Sequence, residues 1–170
     1  MTELLELPRA LVPNLAEASA AIEAERRVPR QLAEELAAAG LFRMLVPRAL
    51  GGLETTPRAM VDVLALLATG DAACAWHVMT GATNGLLSAY LPEAAARAIW
   101  TERTITAGVF APMGKAQPEQ GGFRVSGRWP FASGCQNATW LMGGAVVLTD
   151  AGPRKLASGG TEVRSCLFPA

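Results

Sequence analysis

The chain has 170 residues, 51% of them hydrophobic and 18% charged, with fifteen basic residues balanced by fifteen acidic ones. That length and apolar content suffice for one substantial core. A net charge of zero gives no field to draw a phosphate backbone or an anionic lipid surface, so neither nucleic acid nor membrane is expected as a partner.

The opening stretch, MTELLELPRA, is acidic and has no basic flank followed by an apolar run, so it does not read as a signal peptide and a cytoplasmic protein is expected. Alanine and leucine recurring at three and four predict a first helix over Arg9 to Arg27, stopping before Pro29. In RQLAEELAAAG the residues Leu32, Leu36 and Ala39 share a helix face, and Gly40 supplies a left-handed end. The segment LFRMLVPRALGGLE reads as a loop, because Pro47 and Gly51-Gly52 block helix continuation. Pro57 suits the first turn of a helix through about Thr69, capped by Thr55 or Thr56. The apolar stretch Val61 to Leu91 contains Asp71, His77 and Asn84 and lacks the uncharged run of about 18 residues that a membrane span needs. It reads instead as two buried helices meeting at Gly70-Asp71, with Asp71 as N-cap and the second ending at Tyr90-Leu91. Pro92 opens a short helix, PEAAARAIW.

After Trp100 the pattern changes to strands: TITAGVF, GGFRVSG, ATWLMGGAVVL and GTEVRSCLFPA. PMGKAQPEQGG, between the first two, reads as a turn-rich connection. The fold class is therefore α+β, with an all-helical N-terminal domain over residues 1–102 and an incomplete antiparallel β-barrel over 103–170. Four or five strands leave sheet edges and one apolar face that another chain, or further sequence, is expected to cover. The three cysteines, Cys74, Cys135 and Cys166, show no CxxC spacing, so neither a disulfide framework nor a metal site is assigned.

The order of elements, helices followed by AGVFAPMGKA and GGFRVSGRWPFASGCQNATW, resembles the acyl-CoA dehydrogenase superfamily. GDAACAW, APMGKA and GRWPFASGCQNATW are most similar to its oxygenase branch, the two-component flavin-dependent monooxygenases. The resemblance covers nearly all of this chain but only the first two fifths of a typical member, whose C-terminal helical domain has no counterpart here. It implies a flavin cofactor, FAD or FMN, supplied reduced by a separate flavin reductase, a small-molecule substrate, and a homo-oligomer when complete.

The resemblance also implies residue roles. Phe131 would pack on the flavin, with Ala132 beside it, and Ser133 would bond its N5. On a strand, Phe131 and Ser133 would share one face. Phe110, Ala111, Pro112, Met113 and Gly114 would lay backbone groups against the pyrimidine edge, which needs small residues and close approach. Dehydrogenases commonly read Thr-Glu-Pro there, and Ala111-Pro112-Met113-Gly114 departs from that in favour of the oxygenase branch. His77, the only histidine, reads either as an acid or base near the flavin or as a packed helix residue. Trp76 and Tyr90 read as core, with Trp76 the alternative substrate wall. Without the resemblance, Trp129, Phe131 and Trp140 are sheet core and Ser133 ends a strand. Glu23, Glu25, Arg26 and Arg27 read as a solvated face.

The expected function is that of a flavin-dependent oxidoreductase using reduced flavin and O2 to hydroxylate an aromatic or related substrate. The rivals are dehydrogenation of an acyl thioester and a non-catalytic interaction module. The 170 residues alone are expected to be inactive, since the resemblance gives them only one wall of the flavin clamp.

Overall fold

The computed structural model describes residues 2–170, with side chains from residue 4 onward. Helix α1 (Thr2–Glu25) starts earlier than Arg9 and runs through Pro8 and Pro13. Each proline removes one N–H from the ladder. The helix persists because Leu11, Leu15, Ala18 and Ile22, spaced by four, three and four, pack into the main core. Helix α2 (Arg30–Ala38) buries Leu32, Ala33, Leu36 and Ala37, and Gly40 follows it at φ 77°, as its position predicts.

The proline and glycine segment after α2 contains 3-10 turns at Leu41–Arg43 and Arg48–Leu50. Its Leu41, Phe42, Met44 and Val46 are buried, so this connection is part of the interior. Helix α3 (Pro57–Ala68) is capped as expected by Thr56, whose side chain accepts from the Ala59 N–H at 3.2 Å. Helix α4 (Ala72–Asn84) has Asp71 as its cap. One carboxylate oxygen of Asp71 accepts from Cys74 N–H at 2.8 Å, and the other accepts from the Ser19 hydroxyl at 2.9 Å, tying α1 to the α3–α4 junction. The helix expected to reach Leu91 ends at Asn84 and tightens into a 3-10 turn over Gly85–Tyr90. A Cβ on Gly85 would lie 2.9 Å from Val46, a close approach that fixes the crossing there. Trp76 and Tyr90 are not core: they are 55% and 86% exposed. Helix α5 (Glu93–Ile99) follows Pro92.

The sheet contains β1 (Thr106–Glu119), β2 (Gly122–Ser126), β3 (Trp140–Thr149), β4 (Gly152–Pro153) and β5 (Val163–Pro169). Its order is β2-β1-β3-β4, with β5 also on β3, and it does not close into a barrel. Two expectations are corrected. The segment read as a connection, from Pro112 to Glu119, is strand, because β2 folds back on it from Lys115↔Ser126 to Glu119↔Gly122. Its prolines and polar residues hide a strand whose stability comes from pairing. Second, the central pair β1–β3 is parallel, not antiparallel; the segment between β2 and β3 carries the chain back before β3 begins.

Helices and sheet are joined by Thr106, whose hydroxyl donates to Gly81 C=O at 2.9 Å, and by Asn137, whose amide donates to Val28 C=O at 2.8 Å. Trp129 lies against Gly114, Gly127 and Gly143, and its indole N–H donates to Gly144 C=O at 2.8 Å. At the sheet's far end, Arg154 and Arg164 flank the carboxylate of Glu162 and hold its pKa down at about 2.

The Trp129 seat yields a stability test. A methyl on Gly143 would meet the indole at 2.5 Å, while one on Gly160 would meet nothing closer than 3.8 Å. Gly143→Ala is expected to lower the urea-unfolding free energy by about 1–3 kcal/mol, and Gly160→Ala to change it by less than about 0.5 kcal/mol.

Candidate functional site

The residues singled out as cofactor contacts after Trp129 lie on turns and not on a strand. Ser133 N–H donates to Phe131 C=O at 2.8 Å, Cys135 N–H to Ala132 C=O at 3.1 Å, and Asn137 N–H to Gly134 C=O at 3.0 Å. Phe131 takes φ 62° and Gly134 φ 81°. Phe131 and Ser133 therefore do not share a strand face, because left-handed residues break the two-residue period. Phe131 is 95% exposed, which also removes it from the sheet core.

This turn segment forms one wall of a cleft of about 850 Å3, and the end of α1 and the start of α4 form the others. The cleft brings together Trp76, His77, Phe131, Ala132 and Ser133, residues drawn from two distant parts of the sequence. It also takes in Glu23, Arg26 and Arg27, which the sequence gives as a solvated face. No signal in the sequence marks them. The chain leaves α1 through Arg26 at φ 55°, and that reversal sets them at the cleft. Arg27 is paired with Glu25 at 3.2 Å.

Phe110 to Gly114 do not line this cleft. They form a break in β1: Val109 pairs with Gly143 and Gly114 with Ala145, so Phe110, Ala111, Pro112 and Met113 stand opposite Gly144 alone. Phe110 and Met113 are each 52% exposed. A Cβ on Gly144 would lie 2.1 Å from the Phe110 carbonyl oxygen and 2.6 Å from that of Ala111. The bulge thus turns these two carbonyls onto β3 and carries the rest of its backbone outward.

His77 is 3% exposed. Its ring meets Phe42 edge-on at 5.0 Å and 67°. Among the described residues neither ring nitrogen has a hydrogen-bond partner. Burial pushes its pKa down to about 4, so at neutral pH the ring is uncharged and offers one donor and one acceptor. Cys74 is fully buried, and burial, with the Asp71 carboxylate beside it, pushes its thiol up to about 12. It is not a nucleophile at neutral pH. No group of three or more His, Cys, Asp or Glu among the described residues is arranged to hold a metal ion, and no described helix is long and apolar enough to cross a membrane.

The family profile described as acyl-CoA dehydrogenase, N-terminal domain, matches residues 4–104. The FADH(2)-dependent resorcinol hydroxylase, oxygenase component, of Rhizobium sp. (strain MTP-10005) is 38% identical over 133 residues, covering 74% of this chain and 31% of that protein. The flavin-dependent monooxygenase oxygenase subunit HsaA of Rhodococcus jostii (strain RHA1) is 30% identical over 146 residues, covering 85% of this chain and 38% of its own. Among solved structures, the 3-HSA hydroxylase from Rhodococcus sp. RHA1 superposes with a TM-score of 0.84 at 27% identity, over 98% of this chain and 42% of that one. XiaF from Streptomyces sp., in complex with FADH2 and glycerol, gives 0.84 at 28% identity, over 99% of this chain and 41% of that one. The matched region spans 31% and 38% of the length of those two curated relatives.

The single histidine makes its burial measurable. The folded-state pKa of about 4 lies below the ordinary 6.5, so the unfolded chain takes up the proton first as pH falls. The His77 contribution to stability is complete above pH 6.5 and declines towards pH 4, by about 3 kcal/mol in all. The imidazole Cε1–H resonance should titrate with a midpoint near 4. A midpoint at the ordinary value would contradict the burial.

Proposed function

The chain belongs to the acyl-CoA dehydrogenase family, and from that premise we propose that it forms one wall of a reduced-flavin site in an oxygenase that hydroxylates aromatic compounds. The observation that carries this is the convergence of Trp76, Phe131 and Ser133 on one cleft. A relative that uses reduced FAD on resorcinol names the chemistry.

The residues present fit such a cofactor. A flavin ring is flat and largely apolar, with one polar edge and a hydrogen-bonding N5. Phe131 offers an uncovered aromatic face, Ser133 a half-buried hydroxyl, and the β1 bulge an exposed backbone from Phe110 to Met113. At about 850 Å3 the cleft has the size of a small-molecule site. When bound, reduced flavin would supply the electrons that activate O2 for insertion into an aromatic C–H bond.

The protein's part is to hold and shield. Ser133 Oγ would fix the cofactor at N5, and Phe131, with Ala132, would cover a ring face and exclude water. The Ala111 N–H, the Pro112 carbonyl and the Met113 backbone groups would meet the polar edge, since the Ala111 carbonyl is turned onto β3, with Gly114 ending the bulge. Pro112 can contribute only its carbonyl. Trp76 would face the substrate. His77 is neutral at working pH and would serve as a hydrogen-bonding group, not as a proton carrier. A separate flavin reductase would deliver the reduced cofactor, the assembled protein would be a homo-oligomer, and the cytoplasm, where reduced flavin is made, would be its compartment.

Anaerobic titration with reduced FAD or FMN, read by tryptophan fluorescence, tests the Ser133 role. Ser133→Ala is expected to weaken binding by about 1–2 kcal/mol, roughly five- to thirtyfold, with the unfolding midpoint unchanged; equal affinity would reject the role. For the reaction itself, a protein carrying this segment within the relatives' full length, given reduced flavin, resorcinol and 18O2, should yield a ring-hydroxylated product containing one labelled oxygen. Oxidation of an acyl-CoA with no label in any phenol would overturn the reading.

A further inference from the structure

The cleft contains one buried polar side chain to which that reading gives no partner. His77 sits beneath the turn at Gly134, 3% exposed and with both ring nitrogens unpaired among the described residues. A phenyl or aliphatic side chain would fill the same place beside Phe42 without leaving buried polar atoms unpaired. The turn rests directly on the ring: a Cβ at Gly134 would lie 2.1 Å from Nδ1, and Gly134 is at φ 81°.

Two aromatic side chains stand uncovered at the same cleft, Trp76 at 55% exposure and Phe131 at 95%. Phe131 is also held at φ 62°, a left-handed conformation unfavourable to a bulky side chain. Apolar walls without a covering partner and a buried imidazole without a hydrogen bond are complementary deficits. A planar ring carrying a polar substituent meets both. At the rim Glu23 stands with Arg26, and Arg27 is paired with Glu25, so the charges balance and nothing there favours an ion over a neutral ligand. A hydroxyl suits a neutral imidazole, donating to its bare nitrogen or accepting from its N–H.

We propose that His77 reads a ring hydroxyl of a neutral phenol held against Trp76, the Gly134 turn moving off the imidazole to admit it. The proposal rests on the aromatic-hydroxylase reading and adds to it the residue that selects the substrate. His77 is then a specificity determinant.

The chain's single histidine provides the readout without flavin or oxygen. Chain labelled with 15N at histidine is titrated with resorcinol and, separately, with m-xylene, which has the same shape but methyl groups in place of hydroxyls. Resorcinol is expected to move an imidazole 15N resonance, saturating together with its effect on tryptophan fluorescence, while m-xylene leaves the resonance in place. His77→Phe should lower resorcinol affinity about tenfold or more and leave m-xylene affinity unchanged. His77→Gln, which keeps a donor and an acceptor, should retain most of the preference. Resorcinol binding without an imidazole shift, equal loss of both ligands in His77→Phe, or no resorcinol binding would each overturn the proposal. If His77→Phe does not fold, the wild-type titration and His77→Gln decide the matter. Failure here leaves the 18O2 experiment free to succeed, and failure there leaves the imidazole shift standing.

Discussion

Helices and sheet meet where Gly81 has no side chain. A Cβ there would lie 2.5 Å from the Phe42 ring and 2.9 Å from the Thr106 carbonyl oxygen, so α4, the segment after α2 and the first residue of β1 come this close only because position 81 is glycine. From it a line of packing runs through Phe42 to His77, edge-on at 5.0 Å, and from His77 to Gly134. The cleft inherits its shape from that line. Asn137 fastens the far end of the turn to Val28, between α1 and α2, and Asp71 fastens α4 to α1. The turn is therefore held at Gly134 and at Asn137 by the helical layer, although its sequence neighbours are strands.

Several features of the cleft work against stability. An imidazole whose two nitrogens are unpaired among the described residues is buried, a phenylalanine is exposed in a left-handed conformation, and a tryptophan in the first half of a helix is left uncovered. Elsewhere the same chain satisfies local demands: Thr56 and Asp71 cap their helices, and the Trp129 indole has both a seat and an acceptor. Local rules broken together in one place, within a chain that otherwise keeps them, are the physical mark of a site. The matched family region ends at residue 104, and the cleft joins its helices to a turn beyond that limit. Neither part forms the cleft alone.

The two segments put forward as flavin contacts have different local physics. Phe110 to Met113 are a bulge, where β1 carries four residues against the single Gly144 and frees backbone for an outside partner. Phe131 to Ser133 are a turn whose position is dictated from below by an imidazole. The bulge is fixed by strand register and the turn by helix packing. They can thus be perturbed separately, by substitution at Gly144 and at Gly134.

The sequence by itself determined the local elements whose causes are local. Gly40, Thr56, Asp71 and Pro92 act within a few residues, through φ, a missing N–H or a cap, and each sits where it was expected. The helical first part, the open sheet after it and the membership in a flavoenzyme family were legible for the same reason: periodicity and motif order are carried in the chain. Only tertiary structure decided what depends on partners distant in sequence. Pro8 and Pro13 remain in α1 because the core holds the helix around them. Gly114 to Glu119 become strand because β3 pairs with Gly114 to Ala116 and β2 with Lys115 to Glu119. Phe131 and Ser133 lie on a turn because His77 and Val28, far earlier in the chain, receive that turn. His77 is neutral, and unpaired among the described residues, because Phe42 and Gly134 close over it, and burial is a property of the assembled fold that no local pattern around an imidazole encodes.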